Sequence, residues 1–356
     1  MKIRKLPSGS AVYGKLPRGC ELCQQGLKTV VFLTGLCPQR CFYCPLSSER
    51  KDKDVLYVNE VLSSPENLFE TVLAEVLRSA SMGVSITGGE PLAKPNLVTG
   101  LTRFLKDKLS RDFHVHLYTS GIPLSGKLVG DLVDSGVDEM RIHSPLHRLE
   151  KVLETVKQEG DGLSVGLEYP ALPGKLDQLL LLLDIAEKRE LDFIVLNELE
   201  FTETNAQSLL LRGYSMLPDY RGAQGSRETA LALLEEAEKR AATVNVHFCP
   251  VSVKDSVQTS LRVYRHANLN ALPYHVVTDE GTVLEVNYTL LSKVEPVAAL
   301  YPRGKLPMFF ADSVTEGLLS EKSLVLGGLA LEEVPLRGSN SRALREVALR
   351  KGGAEP

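Results

Sequence analysis

The feature that most restricts the fold of this chain is a change of hydrophobic period that repeats between residue 29 and about residue 200. Short apolar runs of strand character alternate with longer stretches whose apolar residues recur at helical spacing. Strands joined through helices pair in parallel, because a parallel connection needs a crossover of about a dozen residues or more. Val30–Thr34, Val84–Thr87, His114–Thr119, Glu139–His143, Leu163–Tyr169 and Phe193–Leu196 are expected as strands. Helices are expected near 65–81, 96–109, 126–135, 146–158 and 176–189, the first opened by Ser64-Pro65. The fold class is α/β: six such units make a partial or full barrel, with functional residues at the C-terminal strand ends. A helix at about 227–242 leads into Val244–Phe248, which would add a seventh strand and carry Cys249 to the same mouth.

The 356 residues, 43% hydrophobic and 24% charged, allow one large domain and a smaller one. The expected division is an N-terminal segment 1–28, a core with its extension at 29–250, a small β-rich domain at 271–340 and a tail at 341–356. In the β-rich part, His275–Thr278, Thr282–Tyr288 and Ser323–Leu326 read as strands, and Gly338–Pro356 as a short basic helix and frayed end. The basic start lacks an apolar segment behind it, and the longest leucine run, Leu179–Leu183, is far short of the ~20 apolar residues of a membrane span. A cytoplasmic location with no membrane partner is expected. Net charge is −4, so no overall basic footprint marks a nucleic-acid binder. Residues 1–60 nevertheless carry ten Lys and Arg against five Asp and Glu, a basic rim suited to an anionic substrate, a reductase or RNA.

Three cysteines, Cys37, Cys41 and Cys44, fall within eight residues directly after the first strand. They supply three thiolates from one tight loop and no fourth. Ferredoxin-type clusters close every corner with cysteine and only carry electrons, whereas a cubane held by three keeps one iron open for chemistry. Structural zinc prefers four closed ligands in paired C-x2-C units, so the 3,2 spacing fits it poorly. After the second strand comes Thr87-Gly88-Gly89-Glu90-Pro91. Its glycines allow close backbone approach, and the Glu90 carboxylate would be free to receive an ammonium.

The C-x3-C-x2-C run with Tyr43 before its last cysteine, followed by Gly88-Gly89-Glu90, resembles the radical S-adenosylmethionine (SAM) superfamily over about residues 29–200. The resemblance implies a (βα)6-type partial barrel and a [4Fe–4S] cluster on Cys37, Cys41 and Cys44. It also implies SAM chelated at the open iron, and a 5′-deoxyadenosyl radical that abstracts hydrogen from substrate. It puts Gly88, Gly89 and Glu90 at the methionine amino group, and Ser120, in Tyr118-Thr119-Ser120-Gly121, at the cofactor wall. His143 and Ser144 would reach the ribose or carboxylate, and Glu168 would sit by the adenine. A flavodoxin- or ferredoxin-type electron donor is implied as partner. The flavour is that of archaeal proteins related to pyruvate formate-lyase activating enzymes.

Two features are not accounted for by that resemblance. Asn197 and Glu198, at the end of the sixth strand, are a candidate catalytic pair for substrate recognition or proton handling. Cys20, Cys23 and Cys249 could hold an auxiliary iron–sulfur cluster, a zinc ion with His247, or nothing. The substrate has no signature of its own. The leading expectation is therefore a hydrogen-abstracting radical SAM enzyme of unidentified substrate. A tRNA- or RNA-modifying enzyme and an iron–sulfur electron carrier are the alternatives.

Overall fold

The computed structural model describes residues 1–218, 220–272, 276–279, 281–290, 305–306, 326–335 and 345–348. Seven parallel strands stand side by side in chain order: β1 (Lys28–Phe32), β2 (Gly83–Thr87), β3 (His114–Thr119), β4 (Glu139–Ile142), β5 (Ser164–Ala171), β6 (Phe193–Glu198) and β7 (Asn245–Cys249). The expected seventh strand does join, β7 lying parallel to β6 with Cys249 opposite Asn197. Both edges are finished by antiparallel hairpins that the hydrophobic pattern did not disclose. Ala11–Tyr13 pairs with β7 and Ile3–Lys5 with Ala11–Tyr13, while Leu56–Val58 pairs with β1 and Val61–Ser63 with Leu56–Val58.

The crossovers are the helices α2 (Leu68–Arg78), α3 (Pro95–Lys108), α4 (Gly126–Ser135), α5 (Leu146–Glu159) and α6 (Leu176–Lys188). A sixth connection runs through α7 (Ala206–Leu210) and α8 (Ser226–Lys239). Helix α4 shows how the sequence sets its ends. The Ser125 side chain accepts from Leu128 N at 3.2 Å, and Gly136 closes the C-terminus at φ +95°, a left-handed turn that glycine takes without strain. Strand residues alternate between two faces. Val31, Ile86, Leu117, Ile142, Leu167, Leu196 and Phe248 pack with the helices in one apolar core.

The opposite face is polar and covered. Helix α1 (Arg18–Gln24) lies against it, and Gly19 N donates to Glu139 Oε2 at 2.9 Å. A Cβ on Gly19 would come within 2.3 Å of His116 Nδ1 and 2.7 Å of Arg141 Nη2, so only glycine fits. Beneath the helix, Lys28, His114, His116, Glu139, Arg141 and His247 are all buried. Burial lowers Lys28 to about 7 and holds His114 and His116 below the ordinary histidine range.

Those depressed values fix a sign. Neutral histidines inside face an unfolded chain that binds protons below about pH 6.5, so stability falls as pH drops through that range. Lys28 is depressed in the fold, so the unfolded chain binds the extra proton between about pH 7 and 10.4 and stability rises there too. Stability from pH 5 to 7 is expected to climb by about 1 kcal/mol per unit or more, before the raised thiols begin to oppose the rise nearer pH 8. Urea melts across that range measure it, and a flat profile contradicts it.

The chain divides into two compact units, Met1–Leu77 with Ser81–Thr259, and Arg78–Ala80 with Ser260–Pro356. In the second, among the described residues, a helix Ser260–Asn270 precedes an antiparallel sheet. Thr282–Leu290 pairs there with Val276–Val277, Lys305–Leu306 and Leu326–Pro335, and the last pairs with Arg345–Ala348. His275 and Ser323–Val325 of the expected strands lie outside the described residues. The expected terminal helix is corrected at Arg345–Ala348, which forms a strand because the neighbouring strand offers it backbone groups to pair. Among the described residues no helix is long and apolar enough to cross a membrane.

Candidate functional site

The cysteine loop leaves β1 and is docked onto the end of β2. Gly89 N donates to Thr34 O at 2.7 Å and Glu90 N to Leu36 O at 2.8 Å. A Cβ on Gly88 would lie 2.5 Å from Thr34 O, and one on Gly89 would lie 2.5 Å from Leu36 O. Backbone packed this closely to backbone leaves room only for glycine.

Strands β4 to β6 hold the loop from its other side. Gln39 Nε2 donates to His143 O at 2.9 Å. His143 Nδ1 lies 2.8 Å from Glu168 O, a carbonyl that can only accept, so Nδ1 carries the proton. Nε2 is then a lone pair, and it accepts from the Tyr43 hydroxyl at 3.0 Å. Burial holds His143 below the usual histidine range, in keeping with a neutral ring. Beyond β6, Asn205 Nδ2 donates to Tyr43 O at 3.1 Å and Thr204 Oγ1 to Leu46 O at 2.6 Å. The polar residues after β6 thus serve in part to clasp the loop. Nothing local in the sequence shows what Gln39, Thr204 and Asn205 reach.

Cys37, Cys41 and Cys44 face a common cavity of about 290 Å³. Tyr43, Gly88, Gly89, Ser120, His143, Glu168, Asn197 and Glu198 share its wall. Burial pushes the Cys37 thiol up to about 11 and raises that of Cys41, so thiolates there call for a cationic partner. Among the described residues no three His, Cys, Asp or Glu side chains gather as ligands of a single metal ion. A cubane asks each thiolate for a different iron, and its ligands need only border one cavity. The wall includes no fourth cysteine. The donor set fits a [4Fe–4S] cluster with one corner left to a ligand other than protein.

Several expected roles change on this geometry. Glu90 is fully buried, with Oε1 accepting from Leu92 N and Thr119 Oγ1, both at 2.9 Å. Its Oε2 accepts from Ser120 N at 2.7 Å and from the Ser120 hydroxyl. The carboxylate expected to face an ammonium is instead taken by four protein donors, because it caps the turn Pro91–Ala93 and ties β2 to the end of β3. Asn197 and Glu198 are successive strand residues, so they part to opposite faces. Asn197 Nδ2 donates to Glu168 Oε1 at 2.7 Å, whereas Glu198 Oε2 accepts from Tyr220 OH at 3.0 Å and Val251 N at 2.9 Å. Ser144 is buried away from the cysteine cavity, and its hydroxyl has no partner. Glu168 Oε2 accepts from Arg141 Nη1 at 2.9 Å, so this acid is paired to the network beneath α1.

Cys20, Cys23 and Cys249 are brought together, but not onto the cysteine cavity. Cys20 Sγ lies 3.2 Å from His247 Nδ1 and 3.2 Å from Arg141 Nη2, and Cys23 Sγ donates to Gln258 Oε1 at 3.2 Å. Burial pushes the Cys20 thiol up to about 12 and raises those of Cys23 and Cys249. The single-ion zinc arrangement is not matched, since no three such side chains converge among the described residues.

Glu90→Gln keeps the shape of the side chain and removes its charge. Charge-assisted bonds are worth roughly 1.5–3 kcal/mol each, so a loss of about that size is expected in thermal or urea melts. SAM affinity should fall with it as Ser120 and the glycine turn loosen. An unchanged melting curve would remove the structural role.

A parallel α/β sheet that bears three cysteines and a glycine turn at its strand ends defines a metallocofactor enzyme. The family model described as the radical SAM superfamily matches residues 31–171, and the chain belongs to that superfamily. It is a radical SAM enzyme, and the family implies a [4Fe–4S] cluster and SAM. A protein of Methanocaldococcus jannaschii, provisionally named a glycyl-radical enzyme activating enzyme, is 34% identical over 291 residues, 76% of this chain and 73% of that one. The PqqA peptide cyclase of Rhodopseudomonas palustris is 30% identical over 118 residues, 33% of this chain and 28% of that one. Among solved structures, SuiB of Streptococcus suis bound to its precursor peptide SuiA is similar at a TM-score of 0.45 and 14% identity. That match covers 65% of this chain and 51% of SuiB, so the chain spans about half of that protein's length.

Proposed function

We propose that this enzyme acts on a polypeptide partner, abstracting hydrogen from a backbone glycine to activate a glycyl-radical enzyme. The observation that carries the chemistry is the set of three cysteines on one cavity wall with the Gly88-Gly89 turn and no fourth cysteine. The relative at 34% identity supports the choice of partner. When bound, the cluster and SAM supply reductive cleavage of the sulfonium to a 5′-deoxyadenosyl radical. The chain's own residues shape the place where this happens. Tyr43, His143 and Gln39 hold the cysteine loop at one setting, and Glu90 holds Ser120 beside it. Glu168 and Asn197 offer polar atoms on the wall. The (βα)6-type partial barrel, extended by β7, is the fold this reading assigns to the first unit. A flavodoxin- or ferredoxin-type protein is the electron donor in this reading.

The test supplies the reduced enzyme and SAM, without oxygen, with proteins from source cells grown on α-dideuterated glycine. Deuterium should enter 5′-deoxyadenosine from the protein fraction, and a glycyl radical should appear by electron paramagnetic resonance. Deuterium transfer only from small molecules, or hydrogen loss dependent on RNA, would replace the proposed substrate.

A second iron–sulfur centre on Cys20, Cys23 and Cys249 is a reading that rests on one observation: α1 and β7, distant in sequence, pack Cys249 against the apolar cluster that holds the buried Cys20. The expected outcome is that a Cys20→Ala, Cys23→Ala double variant loses a distinct share of iron and sulfide while keeping the share held by Cys37, Cys41 and Cys44. Iron at the wild-type level ends this reading.

A further inference from the structure

A second cavity, of about 460 Å³, opens beside the cysteine loop and shares only Tyr43 and Pro170 with the first. That volume lies within the range of small-molecule pockets. Leu179 and Leu182 of α6 make part of its wall apolar, and Tyr214 adds an aromatic face. Its two charged lining residues, Lys175 and Arg212, are both cationic, and no Asp or Glu lines it. Both are exposed at the rim, and neither forms a salt bridge among the described residues. Arg212 is held in place from two directions, with its guanidinium 4.4 Å from the Phe42 ring centroid and Nη1 donating to Ser208 O at 2.9 Å. Ser144 also lines this cavity, buried and with its hydroxyl unpartnered.

Apolar walls draw in a hydrocarbon body, while two cations without acidic partners draw a negative group to the mouth. We propose that this cavity is a second small-molecule site, which binds an organic carboxylate with an aliphatic or aromatic body. The acid group meets Lys175 and Arg212 at the mouth, and the apolar wall takes the body. This site stands apart from the SAM cavity and does not depend on the identity of the hydrogen donor.

The experiment uses the full chain with its cluster assembled and follows binding by calorimetry with three probes of one body: phenylbutyrate, its amide and the corresponding amine. Phenylbutyrate should bind saturably, preferred over the amide by about tenfold or more, with the amine weakest. Saturating SAM should leave its affinity unchanged. The Lys175→Ala, Arg212→Ala double variant should lose the preference for the acid while keeping iron content and circular dichroism. The proposal fails if no saturable binding is seen, if the amide or amine binds as well, if SAM displaces the acid, or if the preference survives in the double variant.

Discussion

Replacement of any one of Cys37, Cys41 and Cys44 by alanine is expected to abolish SAM cleavage. The loop supplies three sulfur ligands, and the cavity wall has no spare cysteine to move in. Loss of one leaves a second iron without a protein ligand, so the cluster should be lost or degraded on purification. Even residues that only support a metal ligand typically cost 10–100-fold when changed, so a direct ligand should cost more than about 100-fold. The fold should survive, because these side chains border a cavity and the loop's anchors are Gln39, Tyr43, Thr204 and Asn205. Iron quantification, circular dichroism and 5′-deoxyadenosine release measure the three parts. Cleavage within tenfold of wild type in any single variant would show that the cluster is held elsewhere.

Arg141→Ala should produce a large loss of stability. The guanidinium is buried, with Nε donating to Glu139 Oε1 at 2.6 Å, Nη1 to Glu168 Oε2 at 2.9 Å, and Nη2 lying 3.2 Å from Cys20 Sγ. Alanine would strand two carboxylates in the interior. Breaking a buried pair by removing one partner costs about 3–5 kcal/mol, which in a chain of this size lowers the melting temperature by roughly 4–7 °C. Arg141→Lys keeps the charge but not the fork, so it should recover part of the loss. A shift for Arg141→Ala below about 2 °C would mean that the carboxylates find other partners. Because Glu168 lines the cysteine cavity, weaker SAM binding is expected alongside.

The parallel strands and their helices were legible because each strand has an apolar face and each helix an apolar stripe. His114–Thr119 and Gly126–Ser135 fall where the pattern put them. The short pieces were not legible. Helix α1 has seven residues and the edge hairpins have three-residue strands, too brief for a period to develop. The second face of the sheet was not legible for another reason. His-Val-His-Leu-Tyr-Thr alternates polar and apolar residues, and both His114 and His116 are buried under α1. Their partners, Lys28, Glu139 and Arg141, come from other strands, and no local spacing announces them. At the site, the glycines and cysteines were readable because their chemistry is set by residue type. The direction of the Glu90 carboxylate was not, since three of its four donors come from Thr119 and Ser120, about thirty residues away at the end of β3.

The two hairpins that flank the parallel strands carry a consequence for solubility. An uncapped β7 would present a ladder of unsatisfied amides to any passing chain, an invitation to fibrous or amorphous self-association. Ala11–Tyr13 occupies that ladder, and the outermost piece, Ile3–Lys5, is three residues long with Arg4 and Lys5 on it, short and charged enough to discourage further growth. Trimming the first thirteen residues should therefore increase self-association, which light scattering measures.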